Sequence, residues 1–139
     1  MIDIQVNKKL FAKLDKMEET LDDELEDKLF AIANDAVRFT LGSNRKGKPA
    51  VRTGAYLASF SFGVGAGRPR SKHSHRYRDS NPAATALAGL TADIKRADLK
   101  NTTKITLRNG SSYANNVEYG WSGGTSGYYI FAKLRRLHG

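Results

Sequence analysis

The chain of 139 residues has no cysteine, three prolines and one tryptophan. Without cysteine, neither a disulfide framework nor a zinc site built on thiolates can form. No apolar run approaches the roughly 20 residues that a membrane-spanning helix needs, and the N-terminus lacks the basic and apolar regions of a signal peptide. We therefore expect a soluble protein of a cytoplasm-like compartment, without membrane contact, folded as one domain over residues 1–139.

Groups that carry out chemistry are also scarce. Residues 42–139 contain four carboxylates, which are widely separated: Asp79, Asp93, Asp98 and Glu118. A nuclease that uses metal ions needs such groups in a cluster. His73 and His75 have no carboxylates nearby that could complete a metal site. The sequence thus predicts no catalytic residue, no cofactor and no metal, and we do not expect an enzyme.

The net charge of +9 is distributed unevenly. Residues 1–41 carry six Lys or Arg against ten Asp or Glu, a net −4, whereas residues 42–139 carry seventeen against four, a net +13. Such asymmetry is found in proteins that contact nucleic acid, and also in subunits that stack an acidic face on a basic one. Charge alone leaves both interpretations open.

The clearest periodic signal predicts a long N-terminal helix. From Leu10 to Leu41 apolar residues recur at steps of three and four. A straight helix over residues 8–41 would be about 50 Å long, whereas a globule of this size has a radius of gyration of about 14 Å. The helix therefore either extends beyond its own domain, where a neighbouring copy could cover it, or breaks near Thr20, which resembles an N-cap.

The remaining patterns predict an α+β fold. Three segments read as short strands because apolar and polar residues alternate: residues 2–6, 60–64 and 104–108. Asn81-Pro82 is a typical helix start, and we expect that helix to end near Lys100. The spacing of Ile130, Leu134 and Leu137 predicts a C-terminal helix, although the start of this segment, at Tyr128, could instead be a strand. The expected fold is a long N-terminal helix packed on a small, mostly antiparallel sheet with one or two further helices.

A basic segment over residues 63–81 shows no periodicity, and we expect it to be a flexible loop. Its cations are Arg68, Arg70, Lys72, Arg76 and Arg78. One interpretation is that it follows the phosphates of a nucleic acid. The other is that it is a solvated loop that becomes ordered against an acidic partner surface.

The segment 112–121 is dense in aromatic residues and contains Tyr113, Glu118, Tyr119 and the unique Trp121. It follows the turn signal Asn109-Gly110 and precedes a stretch rich in Gly and Ser. Aromatic side chains with a polar tip suit an interface with another protein. The alternative is that they close a small core.

Two of these segments resemble motifs of small neck and tail-completion (head–tail joining) proteins of tailed bacteriophages. Residues 49–59, PAVRTGAYLAS, resemble the family's Pro-x-x-Arg-Thr-Gly-x-Leu-x-x-Ser pattern, although Leu57 stands one place later than in many members. Residues 113–120, YANNVEYG, resemble its Tyr-Ala-x-x-Val-Glu-Tyr/Phe-Gly pattern. The order also matches, so the resemblance covers most of the chain.

The resemblance implies a virion protein at the head–tail junction, made in the host cytoplasm. It would form a ring of six copies or a multiple, and would contact the connector and the tail-tube or tail-terminator proteins. Its basic loop would face the DNA channel or an adjoining ring. Carried over by position, Arg52, Thr53 and Gly54 would set a turn at the sheet edge, and Tyr113, Glu118, Tyr119 and Trp121 would lie near a subunit or partner surface.

A different class of function also fits the residues. The chain could be a small basic DNA-binding protein in which residues 42–81 and Arg135-Arg136 grip the phosphate backbone. Such a protein loses affinity steeply as salt rises, because each phosphate contact releases bound counterions. A ring subunit need not bind DNA by itself.

Overall fold

The computed structural model describes residues 2–7, 18–42, 54–64, 79–97, 99, 104–111, 114–120 and 127–139. These residues form three strands: β1 (Ile2–Asn7), β2 (Phe60–Val64) and β3 (Lys104–Asn109). They also form five helices: α1 (Glu18–Leu41), α2 (Ala55–Ala58), α3 (Pro82–Arg96), α4 (Ala114–Tyr119) and α5 (Ile130–His138). The expected α+β fold, with its long N-terminal helix, is confirmed.

The strands form an antiparallel sheet in the order β1-β3-β2, so the last strand in the sequence lies in the centre. Its register places Ile4 and Phe62 on either side of Leu107. Side chains alternate between the two faces of a strand, and the apolar positions of all three strands therefore share one face. The three predicted strands are confirmed, and their apolar face becomes part of the core.

The core lies between this face of the sheet and the helices. Helix α1 packs against α3 and α5, while α3 also contacts β2 and α5 also contacts β1. Leu29, Ile32 and Leu90 are among the fully buried side chains at these contacts. The helical periodicity read from the sequence therefore marks the stripe by which α1 joins the domain.

Helix α1 is continuous across Thr20, so a break at that residue is wrong for the described part of the helix. Its 24 residues correspond to about 36 Å. Because α1 already includes Glu18 and Glu19, residue 20 lies inside the helix and not at its start. The predicted segment 8–17 lies outside the described residues.

The start of α3 agrees with the sequence signal. Asn81 is its N-cap, and its side-chain oxygen accepts a hydrogen bond from Ala84 N. The helix ends at Arg96, four residues before the expected Lys100. The predicted basic loop is also shorter than 63–81, because Gly63 and Val64 belong to β2 and residues 79–81 lead into α3. Its remainder, residues 65–78, lies outside the described part of the chain.

Helix α3 also covers the edge of the sheet. The buried Asp93 accepts a hydrogen bond from Phe62 N on the edge strand β2, at 3.1 Å, and another from Arg96 at 2.7 Å. An unpaired N–H on an edge strand would otherwise need water or another chain. The Asp93 carboxylate thus holds α3 on the sheet and accepts the hydrogen bond of a backbone N–H group of β2.

Candidate partner interface

The two motif segments meet at the end of the sheet. Asn109, the last residue of β3, donates a hydrogen bond from Nδ2 to the backbone oxygen of Tyr56 at 2.8 Å. Gly110 N donates to Ser59 O in the same region. We call the residues that join here the motif joint: Gly54, Tyr56, Ser59, Asn109 and Glu118. The Asn-Gly pair that signalled a turn in the sequence also anchors the first motif.

Gly54 begins the first half of the joint in a left-handed conformation, with φ of +83°. A Cβ at this position would lie 2.8 Å from Cβ of Pro82, the first residue of α3. Glycine is therefore required by both its backbone angle and the close approach of α3. It lets the chain turn into α2 directly beside the start of α3.

Glu118 caps the N-terminus of α5. Its two carboxylate oxygens accept hydrogen bonds from Phe131 N at 2.8 Å and Ala132 N at 3.1 Å. A helix N-terminus presents unpaired N–H groups and a partial positive charge, so a carboxylate there satisfies both. Glu118 is 1% exposed, and its carboxylate serves the chain's own helix rather than a surface.

The chain returns to α4 very closely after the Gly- and Ser-rich stretch. Tyr128 N and Tyr129 N donate hydrogen bonds to the backbone oxygens of Val117 and Glu118. A Cβ on Gly127 would clash with the backbone at the end of α4, at Glu118 O and Gly120 N. Residues 120 and 127 are therefore neighbours in space, and the close approach requires glycine at position 127.

Aromatic packing fills the interior of the joint. The Tyr56 ring meets Phe60 edge to face, with centroids 5.2 Å apart, and Phe60 lies 6.0 Å from Phe131 of α5. Burial raises the pKa of the Tyr56 hydroxyl well above 10, and the negative charge of Glu118 adds to the effect. Tyr56 and Glu118 belong to different motifs, and both are buried in the domain, 2% and 1% exposed.

Two aromatic side chains remain exposed beside this joint. Tyr119 is 62% exposed and Tyr129 is 47% exposed. Tyr129 is also held in the left-handed region, with φ of 52°, which a residue with a side chain rarely adopts. The backbone pairing with Glu118 holds Tyr129 next to the end of α4. This surface is the best candidate in the described structure for contact with another protein.

The predicted interface residues thus divide into three groups. Tyr119 is exposed, as an interface residue should be, whereas Gly54 and Glu118 are buried and organise the joint. Arg52, Thr53, Tyr113 and Trp121 lie outside the described residues, as do all five cations of the basic loop. Within the aromatic-dense segment, Ala114–Tyr119 forms the short helix α4. No sequence pattern pointed to Tyr129, because its exposure depends on the backbone pairing of residues 128 and 129.

Within the parts of the chain described above, no group of three or more His, Asp or Glu side chains is arranged to hold a metal ion. No helix among the described residues is long and apolar enough to cross a membrane.

Comparisons with known proteins found no match: no family model, curated protein or solved structure is similar to this chain.

Proposed function

We propose that this chain is a structural subunit of the head–tail junction of a tailed bacteriophage. It would assemble as a ring of six copies or a multiple, complete or cap the tail, and join it to the connector below the head. Its place would be the virion, after synthesis in the host cytoplasm. In this role the chain performs no chemistry.

The observation that carries this proposal is that the two motif segments share one buried core. Tyr56 of the first motif and Val117 of the second belong to the same cluster of buried side chains. Asn109, just before the second motif, also binds the backbone of Tyr56, 53 residues away in the sequence. Two short sequence patterns can match by chance, whereas two patterns that pack together in one core have a structural reason to occur in the same chain. This packing supports the proposal.

The exposed groups support a role in assembly. Tyr119 and Tyr129 are large, exposed and held by a defined backbone. Near the start of α1, Asp23 is exposed, and Leu25 is the first buried side chain described in that helix. Surfaces of this kind are expected in a subunit that is completed by its neighbours.

The first experiment measures the mass of the purified protein by light scattering at low and moderate salt, with and without duplex DNA. The proposal predicts a discrete oligomer whose mass is the same with and without DNA. A monomer that binds DNA tightly at low salt and releases it steeply as salt rises would instead support the DNA-binding alternative.

Trp121→Ala provides a second test. If Trp121 contacts a partner, the variant should keep the melting temperature of the wild type but form the oligomer less well. Tyr119→Ser serves as a comparison, because Tyr119 is exposed, and it should show the same pattern. A Trp121→Ala chain that is unfolded would contradict an interface role and indicate a core residue.

A further inference from the structure

The outer side of α5 combines positive charge with exposed apolar groups. Lys133, Arg136 and Leu137 are spaced so that they share one side of the helix, and Tyr129 precedes it as the N-cap; we call these four residues the outer face of α5. Lys133 lies at its edge, half-buried, with Nζ 5.7 Å from the centroid of the Phe39 ring of α1. Tyr129 and Leu137 are 47% and 56% exposed, and Arg136 is exposed. Among the described residues, Arg136 has neither a hydrogen bond nor an ion pair.

The opposite charge is concentrated in the first part of α1. Residues 18–27, the acidic half of α1, contain seven Asp or Glu and no Lys or Arg. Asp23 and Asp27 are exposed and lie four residues apart, on one side of the helix. Leu25 is the first buried side chain described in α1, and the exposed Asp23 and Asp27 flank it on the side that faces away from the core.

These two surfaces cannot meet within one chain. Helices α1 and α5 run antiparallel, because His138 contacts Asp35 while Lys133 lies over the ring of Phe39. The end of α5 therefore lies at Asp35, and Asp27 is about 12 Å further along α1. The acidic half extends beyond the end of α5, and the basic face has no acidic partner of its own along that helix.

We propose that the outer face of α5 in one copy binds the acidic half of α1 in the next copy. The contact joins two different surfaces, so repeating it adds subunits in one direction and closes a ring if the rotation allows. The proposal rests on the proposed function, since it names the contact between the subunits of that ring. Exposed ion pairs are individually weak, and Tyr129 and Leu137 supply the apolar area that the contact needs.

Charge reversal on each surface provides the test. The first variant is Lys133→Glu/Arg136→Glu, which makes the outer face of α5 acidic. The second is Asp23→Lys/Asp27→Lys, which reverses the charge at the two exposed positions of the acidic half of α1. Lys95→Glu/Lys104→Glu is the matched control, because it changes the net charge as much as the first variant does at two exposed sites elsewhere. Light scattering at low salt measures association, and a melting curve of each variant checks its folding.

The wild type and the control should associate equally, whereas each reversed variant alone should dissociate about tenfold more readily or not associate at all. An equimolar mixture of the two reversed variants should associate again. The glutamates on α5 of the first variant then face the lysines on α1 of the second, and the two unchanged surfaces also carry opposite charges. Loss of self-association with recovery in the mixture would support the proposal. Unchanged association in both variants, no recovery in the mixture, or a monomeric wild type would overturn it.

The same measurement separates this contact from the proposed function. If the protein forms a species of two copies that responds to charge reversal as described, the contact between α5 and α1 is supported and the ring is contradicted. If both reversed variants still form the discrete ring, the ring is supported and the contact between α5 and α1 is contradicted. If Lys133→Glu/Arg136→Glu lowers DNA affinity while the wild type stays monomeric, the outer face of α5 binds nucleic acid and both proposals fail.

Discussion

The motif joint and the acidic half of α1 use carboxylates in opposite ways. In the joint, Glu118 is buried and its two oxygens bind backbone N–H groups of a helix that lies later in the chain. In α1, Asp23 and Asp27 face solvent. A buried carboxylate is stable only when its hydrogen bonds are satisfied, so it fixes the fold, whereas an exposed one remains free to attract a partner. Changes to the first should therefore affect folding, and changes to the second should affect association.

The largest effect is expected for Glu118→Ala. It leaves the N–H groups of Phe131 and Ala132 buried without their acceptor, and we expect unfolding to become easier by about 3 kcal/mol. Urea unfolding followed by circular dichroism measures the change. The exposed Asn115→Ala, on the same helix, should change stability by no more than about 0.5 kcal/mol. Equal effects of the two substitutions would show that Glu118 is not a cap.

Gly54→Ala should destabilise the protein by about 2 kcal/mol, because its left-handed backbone and the close Pro82 both exclude a Cβ. Gly63→Ala is the matched control in β2. A Cβ there would have ordinary contact, 3.6 Å from Arg108, and should be tolerated. If both variants unfold at the same urea concentration as the wild type, the start of α2 does not depend on Gly54.

Asp93→Ala should cost about 1.5 kcal/mol, because Phe62 N on the sheet edge loses its acceptor. Arg96→Ala removes the exposed partner of the same carboxylate and should cost much less. Hydrogen exchange at Phe62 offers a local measurement, and we expect it to be faster in Asp93→Ala than in Arg96→Ala. The reverse order would mean that the ion pair, rather than the backbone contact, holds α3 on the sheet.

The smallest effect concerns the packing of α5 on α1, and it depends on pH. Burial acts to raise the pKa of Asp35, but the hydrogen bonds from His138 and Arg38, with their charges, lower it below 3.8. A lowered pKa in the folded state contributes stability above the unfolded value, and that stability is lost as the pH falls through the folded value. The wild type should therefore exceed Asp35→Asn in stability by up to about 1 kcal/mol at pH near 5.

This advantage should shrink on acidification to pH near 2, because the stability that comes from the lowered pKa of Asp35 is lost as the pH falls below 3.8 and through the folded value. Urea unfolding of the two proteins at both pH values measures it. A difference that stays constant or grows on acidification would contradict the role of the His138 contact. The outer face proposed to bind the next copy lies on α5. This test therefore also measures how much the contact between Asp35 and His138 stabilises the packing of that helix on α1.

The sequence predicted the elements better than their connections. Alternation and helical spacing located all three strands, the long helix and the C-terminal helix, since each pattern reflects a face that must be buried. The cap signal Asn81-Pro82 located the start of α3. The cap role of Glu118 could not be read in this way, because its partners lie 13 and 14 residues later and the pairing depends on the return at Gly127. Asp93 was missed for the same reason, with its partner 31 residues away.

The break considered at Thr20 has a related explanation. A Thr followed by acidic residues favours a helix start locally, but α1 continues because residues from Leu25 onward bury one side of it. Tertiary packing supports a helix through a position where local preference is ambiguous. The sequence also did not reveal that Glu118 is buried whereas Asp27 is exposed, because the burial of a carboxylate depends on tertiary contacts.

Native mass spectrometry of the purified wild-type protein at low ionic strength directly tests whether the chain forms a closed ring. We expect one dominant species of six copies, or a multiple of six, with an unchanged mass when duplex DNA is added. A monomer, or a ladder of sizes without a preferred number of copies, would contradict assembly of this chain into a closed ring.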